Sequence, residues 1–189
     1  MNDALINHVA LLLPSVKKAA DHLRTFDFKI GAAAPWEGEG TLEIYVGDPH
    51  AQRGTLLLME PMKEGAYTRA LNKRGPGLHH IAIDVLNLES YIDDLSGSGW
   101  FLHPKSLQTI RATNTAWLAR PGVPALIEVQ KRDGPNNIPY FIQELRIPYL
   151  SEQDLRMFHA LGLRQVQGNP TGELTFIIGG REIRFAALL

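Results

Sequence analysis

Three stretches of this 189-residue chain follow one pattern. HVALLLPSVKKAADHL begins at His8, HIAIDVLNLESYIDDL at His80 and ELRIPYLSEQDLRMFHAL at Glu144. Each opens on an apolar run of strand type, passes through a short turn containing Ser, Asn or Pro, and continues at helical spacing. The helical stripes are Val16, Ala19, Ala20 and Leu23, then Leu88, Tyr91, Ile92 and Leu95, then Leu155, Phe158 and Leu161. Ser15, Asn87 and Ser151 stand where helix N-caps belong, and Gly97 and Gly162 follow as stop signals. After each helix come three more short strand-like runs. They are FDFKIG, TLEIYVGD and GTLLLMEP, then GWFLH, NTAWLARP and PALIEVQ, then LRQVQG, ELTFIIGG and REIRFAAL. Gly179-Gly180 between the last two reads as a tight hairpin.

The repeated unit is therefore βαβββ, and the predicted class is α+β. Residues 5–62 and 77–131 make two tandem modules, paired across residues 1–131 into a cup-shaped mixed sheet. Residues 138–189 make a further βαβββ-like module, structural or for oligomerisation. MKEGAYTRALNKRGPG between the first two modules is predicted to be a connecting helix closed by a Gly-Pro-Gly turn. KRDGPNNIPY, residues 131–140, is the predicted linker before the third. One such unit exposes a curved sheet face that it cannot fill alone. Two side by side enclose a cleft, which is where a small ligand is expected.

The repeat also sorts the histidines. His8 and His80 both open their module's first strand, so a rough two-fold relation lets them face one another in the cleft. Neighbouring strand residues alternate faces, so His79 is predicted to point to the opposite face, toward the helix layer or a neighbour. A third polar group stands in PALIEVQ, where Glu128 interrupts an apolar strand. A carboxylate there is costly unless paired or bound to a cation. Two neutral imidazoles and a carboxylate suit Zn, Fe, Mn or Co in the divalent state. With no cysteine in the chain, only nitrogen and oxygen ligands are available. A net charge of −1, with acids and bases interspersed, argues against a nucleic-acid partner. No signal peptide and no membrane-length apolar span are recognisable, so a cytoplasmic protein with no membrane partner is expected.

With these residues in place, the chain resembles the vicinal oxygen chelate superfamily of glyoxalases, epimerases, extradiol dioxygenases and bleomycin-resistance proteins. The likeness runs from about Ile6 to Gln130, and is most like methylmalonyl-CoA epimerase in INHVALLL, RGPGLHHIAIDVLNLESYIDDL and ALIEVQ. It implies a divalent metal (Zn, Co, Mn, Ni or Fe) held by His8, His80 and Glu128, a small carbonyl substrate and a homodimer. It also implies Glu43 of GTLEIYV as a catalytic base facing the metal; Glu43 and Glu128 are then the catalytic carboxylates, Glu128 doubling as ligand. Lys73 and Arg74, or Lys17 and Lys18, could meet the phosphates of a CoA substrate. His22, His50, His103 and His159 have no repeat partners and are expected to be structural or exposed.

Two departures stand out. The epimerases and glyoxalases take a fourth ligand, Gln or Glu, from the last strand of the first module. Here the matching residue is Leu57, and Glu60 is out of register by three and should face the other way. The third module offers Glu144 and Arg184 at the ligand positions, which is no metal set. The reading is thus a metal-dependent isomerase or lyase of epimerase or glyoxalase type. The alternatives are an iron-dependent extradiol dioxygenase with a two-histidine, one-carboxylate site, and a non-catalytic ligand-binding protein.

Overall fold

The computed structural model describes residues 4–132 and 137–189. The first module runs β1 (Leu5–Leu12), α1 (Val16–Arg24), β2 (Ala34–Trp36), β3 (Thr41–Val46) and β4 (Thr55–Pro61). After the connecting helix α2 (Ala66–Arg74) come β5 (Gly77–Val85), α3 (Leu88–Asp93), β6 (Phe101–Leu102), α4 (Ser106–Thr113), β7 (Thr115–Ala119) and β8 (Leu126–Lys131). The C-terminal module holds β9 (Ile142–Pro148), α5 (Glu152–Ala160), β10 (Val166–Asn169), β11 (Thr175–Ile178) and β12 (Arg181–Arg184). The expected caps are in place. Ser15 accepts from the Lys18 amide, Asn87 from Ser90, and Ser151 forms a reciprocal capping box with Asp154. Gly179 and Gly180 both have positive φ, at 57° and 74°, as a two-residue hairpin between right-twisted strands requires.

The two N-terminal modules share one eight-stranded sheet ordered β2-β3-β4-β1-β5-β8-β7-β6. Each half has the same internal order, and the halves meet along the antiparallel pair β1–β5. Along every inner strand one face carries Val9, Leu11, Leu56, Leu58, Ile81, Ile83, Ile127 and Val129 into the main core with α1. The other face, with His8, Ala10, Leu57, His80, Ala82 and Glu128, looks into the cup.

Three features differ from the sequence reading. FDFKIG, residues 26–31, forms no strand beyond an isolated bridge from Ile30 to Val46, and β2 lies further along at Ala34–Trp36. Ser106–Thr113 forms α4, in a stretch read only as connection between strands. The C-terminal module has the expected element order, but its sheet runs β10-β9-β11-β12. There β10 pairs directly with β9 in parallel through the α5 crossover, whereas in the other modules the fourth strand takes that place. Its last run also ends in a 3₁₀ turn, Phe185–Leu188. Its side chains join the main core: Phe158 meets Trp100 edge-on at 5.2 Å, and the Tyr91 hydroxyl donates to the Leu161 carbonyl. Residues 133–136 of the expected linker lie outside the described residues. Among the described residues no helix is long and apolar enough to cross a membrane.

Candidate metal centre

The ligand positions follow from the register of the central strands. On β1 and β5, His8 lies opposite Ala82, and His80 lies opposite Ala10. The two alanines have no bulk to fill the space between, so the imidazoles reach diagonally across the seam and their Nε2 atoms stand 3.2 Å apart. β8 then brings Glu128 beside Ala82, with Oε2 3.4 Å from His80 Nε2 and 3.9 Å from His8 Nε2. Around one ion at ~2.1 Å bond lengths, neighbouring ligand atoms are roughly 3.0–3.4 Å apart. The observed triangle is close to that, and its donor chemistry, two imidazole nitrogens and a carboxylate oxygen, suits a borderline divalent ion. Among the described residues, His8, His80 and Glu128 form a cluster of potential ligands whose atoms all lie within 4.8 Å of one another.

The surroundings favour neutral imidazoles. Burial, with Arg132 adding to it, holds the His8 pKa down to about 3. His80 is held well below the usual histidine value by burial, then by His8, His79 and Lys105. Burial pushes the Glu128 carboxyl up to about 7. An uncompensated carboxylate in this cavity is therefore destabilised, which a cation would relieve.

The rest of the site obeys the same two-fold relation. Leu57 lies beside Ala10 as Glu128 lies beside Ala82. Tyr45 lies beside Leu57 as Trp117 lies beside Glu128. Tyr45 meets His8 edge-on at 5.8 Å, and Trp117 meets His80 edge-on at 5.2 Å. Leu57 is thus the positional counterpart of Glu128, buried among Ala10, Leu12, Met59 and Tyr67. Glu60 faces the other way, its carboxylate accepting from the Val16 amide at the start of α1.

The cup encloses a cavity of about 700 Å³ lined by all three ligands together with Glu43, Tyr45, Leu57, Trp117 and Lys105. Glu43 lies on the first module's wall and accepts from the Thr41 hydroxyl at 2.8 Å. Its carboxyl is raised above the ordinary value, chiefly by burial; the Thr41 bond opposes this and Glu39 adds to it. Tyr45 is pushed up to about 12 by burial and then by the charges of Glu43 and Glu128, so it stays a neutral hydroxyl. Lys105 bonds Glu39 at 2.9 Å across the cup mouth and sits 4.5 Å from the Trp117 ring centroid.

Two expectations need correction, and one contact was not anticipated. His79 is not turned to the face opposite His80. A register shift between β1 and β5 makes it an extra, bulged residue, and its Nδ1 sits 2.9 Å from His80 Nδ1 while its ring lies on Tyr67 at 4.9 Å. Lys17, Lys18, Lys73 and Arg74 do not line the cup; the cations there are Lys105, Lys131 and Arg132. Asn7 was passed over, yet its amide bonds His8 Nδ1 at 2.8 Å. Its signal was available: aligning NHVA with HHIA sets Asn7 against His79. His22, His50, His103 and His159 do not line the cavity.

The architecture is the vicinal oxygen chelate fold: paired βαβββ modules closing a cup around a cluster of three potential metal ligands. Solved structures with this fold include a hypothetical protein from Bacillus halodurans (TM-score 0.58, 20% identity), covering 72% of this chain and 99% of that one. Methylmalonyl-CoA epimerase from Mycobacterium tuberculosis gives 0.52 at 18% identity, covering 69% and 89%. A methylmalonyl-CoA epimerase in complex with methylmalonyl-CoA and NH4+ gives 0.51 at 19%, covering 67% and 94%. No protein-family model matches the sequence, and no curated protein does. At these identities the shared property is the fold.

Proposed function

We propose that this chain is a metal-dependent vicinal oxygen chelate enzyme of epimerase or glyoxalase type that removes a proton next to a carbonyl. The observation that carries the reading is the triangle of His8, His80 and Glu128 inside a cavity whose facing wall bears the half-buried carboxylate Glu43. A bound divalent ion would supply Lewis-acid polarisation of the substrate's oxygens. Glu43 would take the proton from the carbon beside the carbonyl, the C–H pair passing onto the carbonyl oxygen. Burial raises the basicity of Glu43, and neutral Tyr45 can donate to a developing oxyanion. The apolar Leu57 and Met59 and the indole of Trp36 offer surface for an aliphatic substituent. Lys105, Lys131 and Arg132 at the cavity offer charge for an anionic group such as the phosphates of an acyl-CoA. All three candidate ligands come from one chain.

Leu57 favours a second reading. It leaves three protein ligands, two histidines and a carboxylate, which is the facial set of non-haem iron oxygenases. The two separate in one experiment. Protein purified without an affinity tag is assayed for metal content and then for deuterium uptake from D2O into small α-branched acyl thioesters and α-hydroxy ketones. Zinc, cobalt, manganese or nickel near one per chain, with uptake lost in Glu43→Gln and His8→Ala, is the expected result. Iron near one per chain with oxygen consumption on catechols would favour the second reading. A folded protein that binds no metal would overturn both.

A further inference from the structure

Each ligand histidine is preceded by a residue the alternation of strand faces should send to the far side of the sheet, and both are instead bonded to the ligand that follows. The cause is a matched pair of bulges on the central strands. Register passes from Ile6 opposite Ile83 to His8 opposite Ala82, which makes Asn7 the extra residue on β1. It passes from Ala10 opposite His80 to Leu11 opposite Leu78, which makes His79 the extra residue on β5. A bulge turns its extra side chain toward its neighbour's face. Asn7 Oδ1 thus lies 2.8 Å from His8 Nδ1, and His79 Nδ1 lies 2.9 Å from His80 Nδ1.

For Asn7 the direction of the bond is fixed. Its Nδ2 donates to both oxygens of Asp84, at 3.2 and 3.0 Å. Asp84 in turn accepts from Arg53 Nη1 at 3.0 Å, and Arg53 can only donate. The amide oxygen of Asn7 therefore faces His8, and His8 Nδ1 must carry the hydrogen. That leaves the His8 Nε2 lone pair directed into the ligand triangle.

We propose that Asn7 and His79 are repeat-related positioning residues, each accepting from Nδ1 of the following ligand histidine when the ion is bound, so that both Nε2 atoms are presented to it. The inference rests on the reading of His8, His80 and Glu128 as a metal centre. Partners of this kind hold ring angle and tautomer, and their loss weakens metal affinity on the order of 10–100-fold.

The test uses the full-length protein and Co2+ or Zn2+ in competition with a chromophoric chelator. Asn7→Leu and His79→Phe, which keep bulk and lose the acceptor, are expected to bind the ion on the order of 10–100-fold more weakly with near-UV circular dichroism unchanged. His79→Asn, which installs in the second module what the first already has, is expected to bind within a few-fold of the natural protein. In metal-free natural protein, ¹⁵N chemical shifts of the His8 ring should report the Nδ1–H form, and Asn7→Leu should lose that preference. Unchanged affinity in folded Asn7→Leu and His79→Phe would overturn the proposal. So would an equal loss in His79→Asn and His79→Phe, or an Nε2–H form of His8 in natural protein. Should natural protein bind neither ion, the metal reading fails, and the His8 ring form still decides the role of Asn7.

Discussion

At the scale of single residues, the site depends on small groups placed opposite large ones. Ala10 and Ala82 leave the space in which His8 and His80 converge, and burial then keeps both rings uncharged. Glu128 is the candidate ligand whose carboxyl burial pushes up to about 7. An ion must displace its proton, so metal affinity is expected to tighten about tenfold per pH unit between pH ~5 and ~7 and level off above. Competition titrations across that range check it; Glu128→Gln should flatten the slope and abolish tight binding. Linkage in the metal-free protein has two signs. The raised Glu128 carboxyl stabilises the fold below its unfolded value near 4.5, and that stability is lost as pH rises to about 7. The depressed His8 contributes stability above 6.5 that is lost as pH falls toward 3. Leu57 supplies the other residue-scale test. Leu57→Glu places a carboxylate at the two-fold counterpart of Glu128. It is expected to tighten metal binding at least tenfold, while burying the polar carboxyl, which protonates when no ion is bound, costs the metal-free protein about 1–3 kcal/mol in urea denaturation.

At the scale of elements, register decides which carboxylates can reach the cup. Glu60 follows Leu57 by three residues and so falls on the helix side of β4, where it and Ser15 satisfy amides at the first turn of α1. Glu60→Ala is therefore expected to lower stability by about 1 kcal/mol with metal affinity unchanged. A fall in affinity without loss of stability would place Glu60 in the cup instead. The helices with their caps and the inner strands were readable because periodicity and cap chemistry are local signals. Helix α4 was not: its stripe is weak, and Ser106, its one buried residue, bonds the backbone of Trp117 from β7. The bulges at Asn7 and His79 were equally hidden, since alternation assumes an uninterrupted ladder.

At the scale of the whole molecule, the C-terminal module is joined to the rest by one continuous core and by backbone. The Arg53 amide donates to the Pro139 carbonyl, and the Phe141 amide donates to Arg53. Arg53 is the residue that holds Asp84, so this module reaches through Asp84 and Asn7 to His8. Unfolding is expected to be a single transition, with far-UV, near-UV and fluorescence midpoints coinciding. Phe158→Ala removes a fully buried ring at the junction and should lower stability by about 3–5 kcal/mol in all three probes together. Separate midpoints would show that the module melts on its own.

By itself the sequence determined the paired modules and the meeting of His8, His80 and Glu128 in the cup, because face alternation and helical spacing follow from backbone geometry within one element. The fate of His79, the role of Asn7, the cations of the cup and the strand order of the last module were decided only in three dimensions. Each depends on which strand competes successfully for a neighbour's hydrogen bonds, and that competition is settled between elements far apart in the chain.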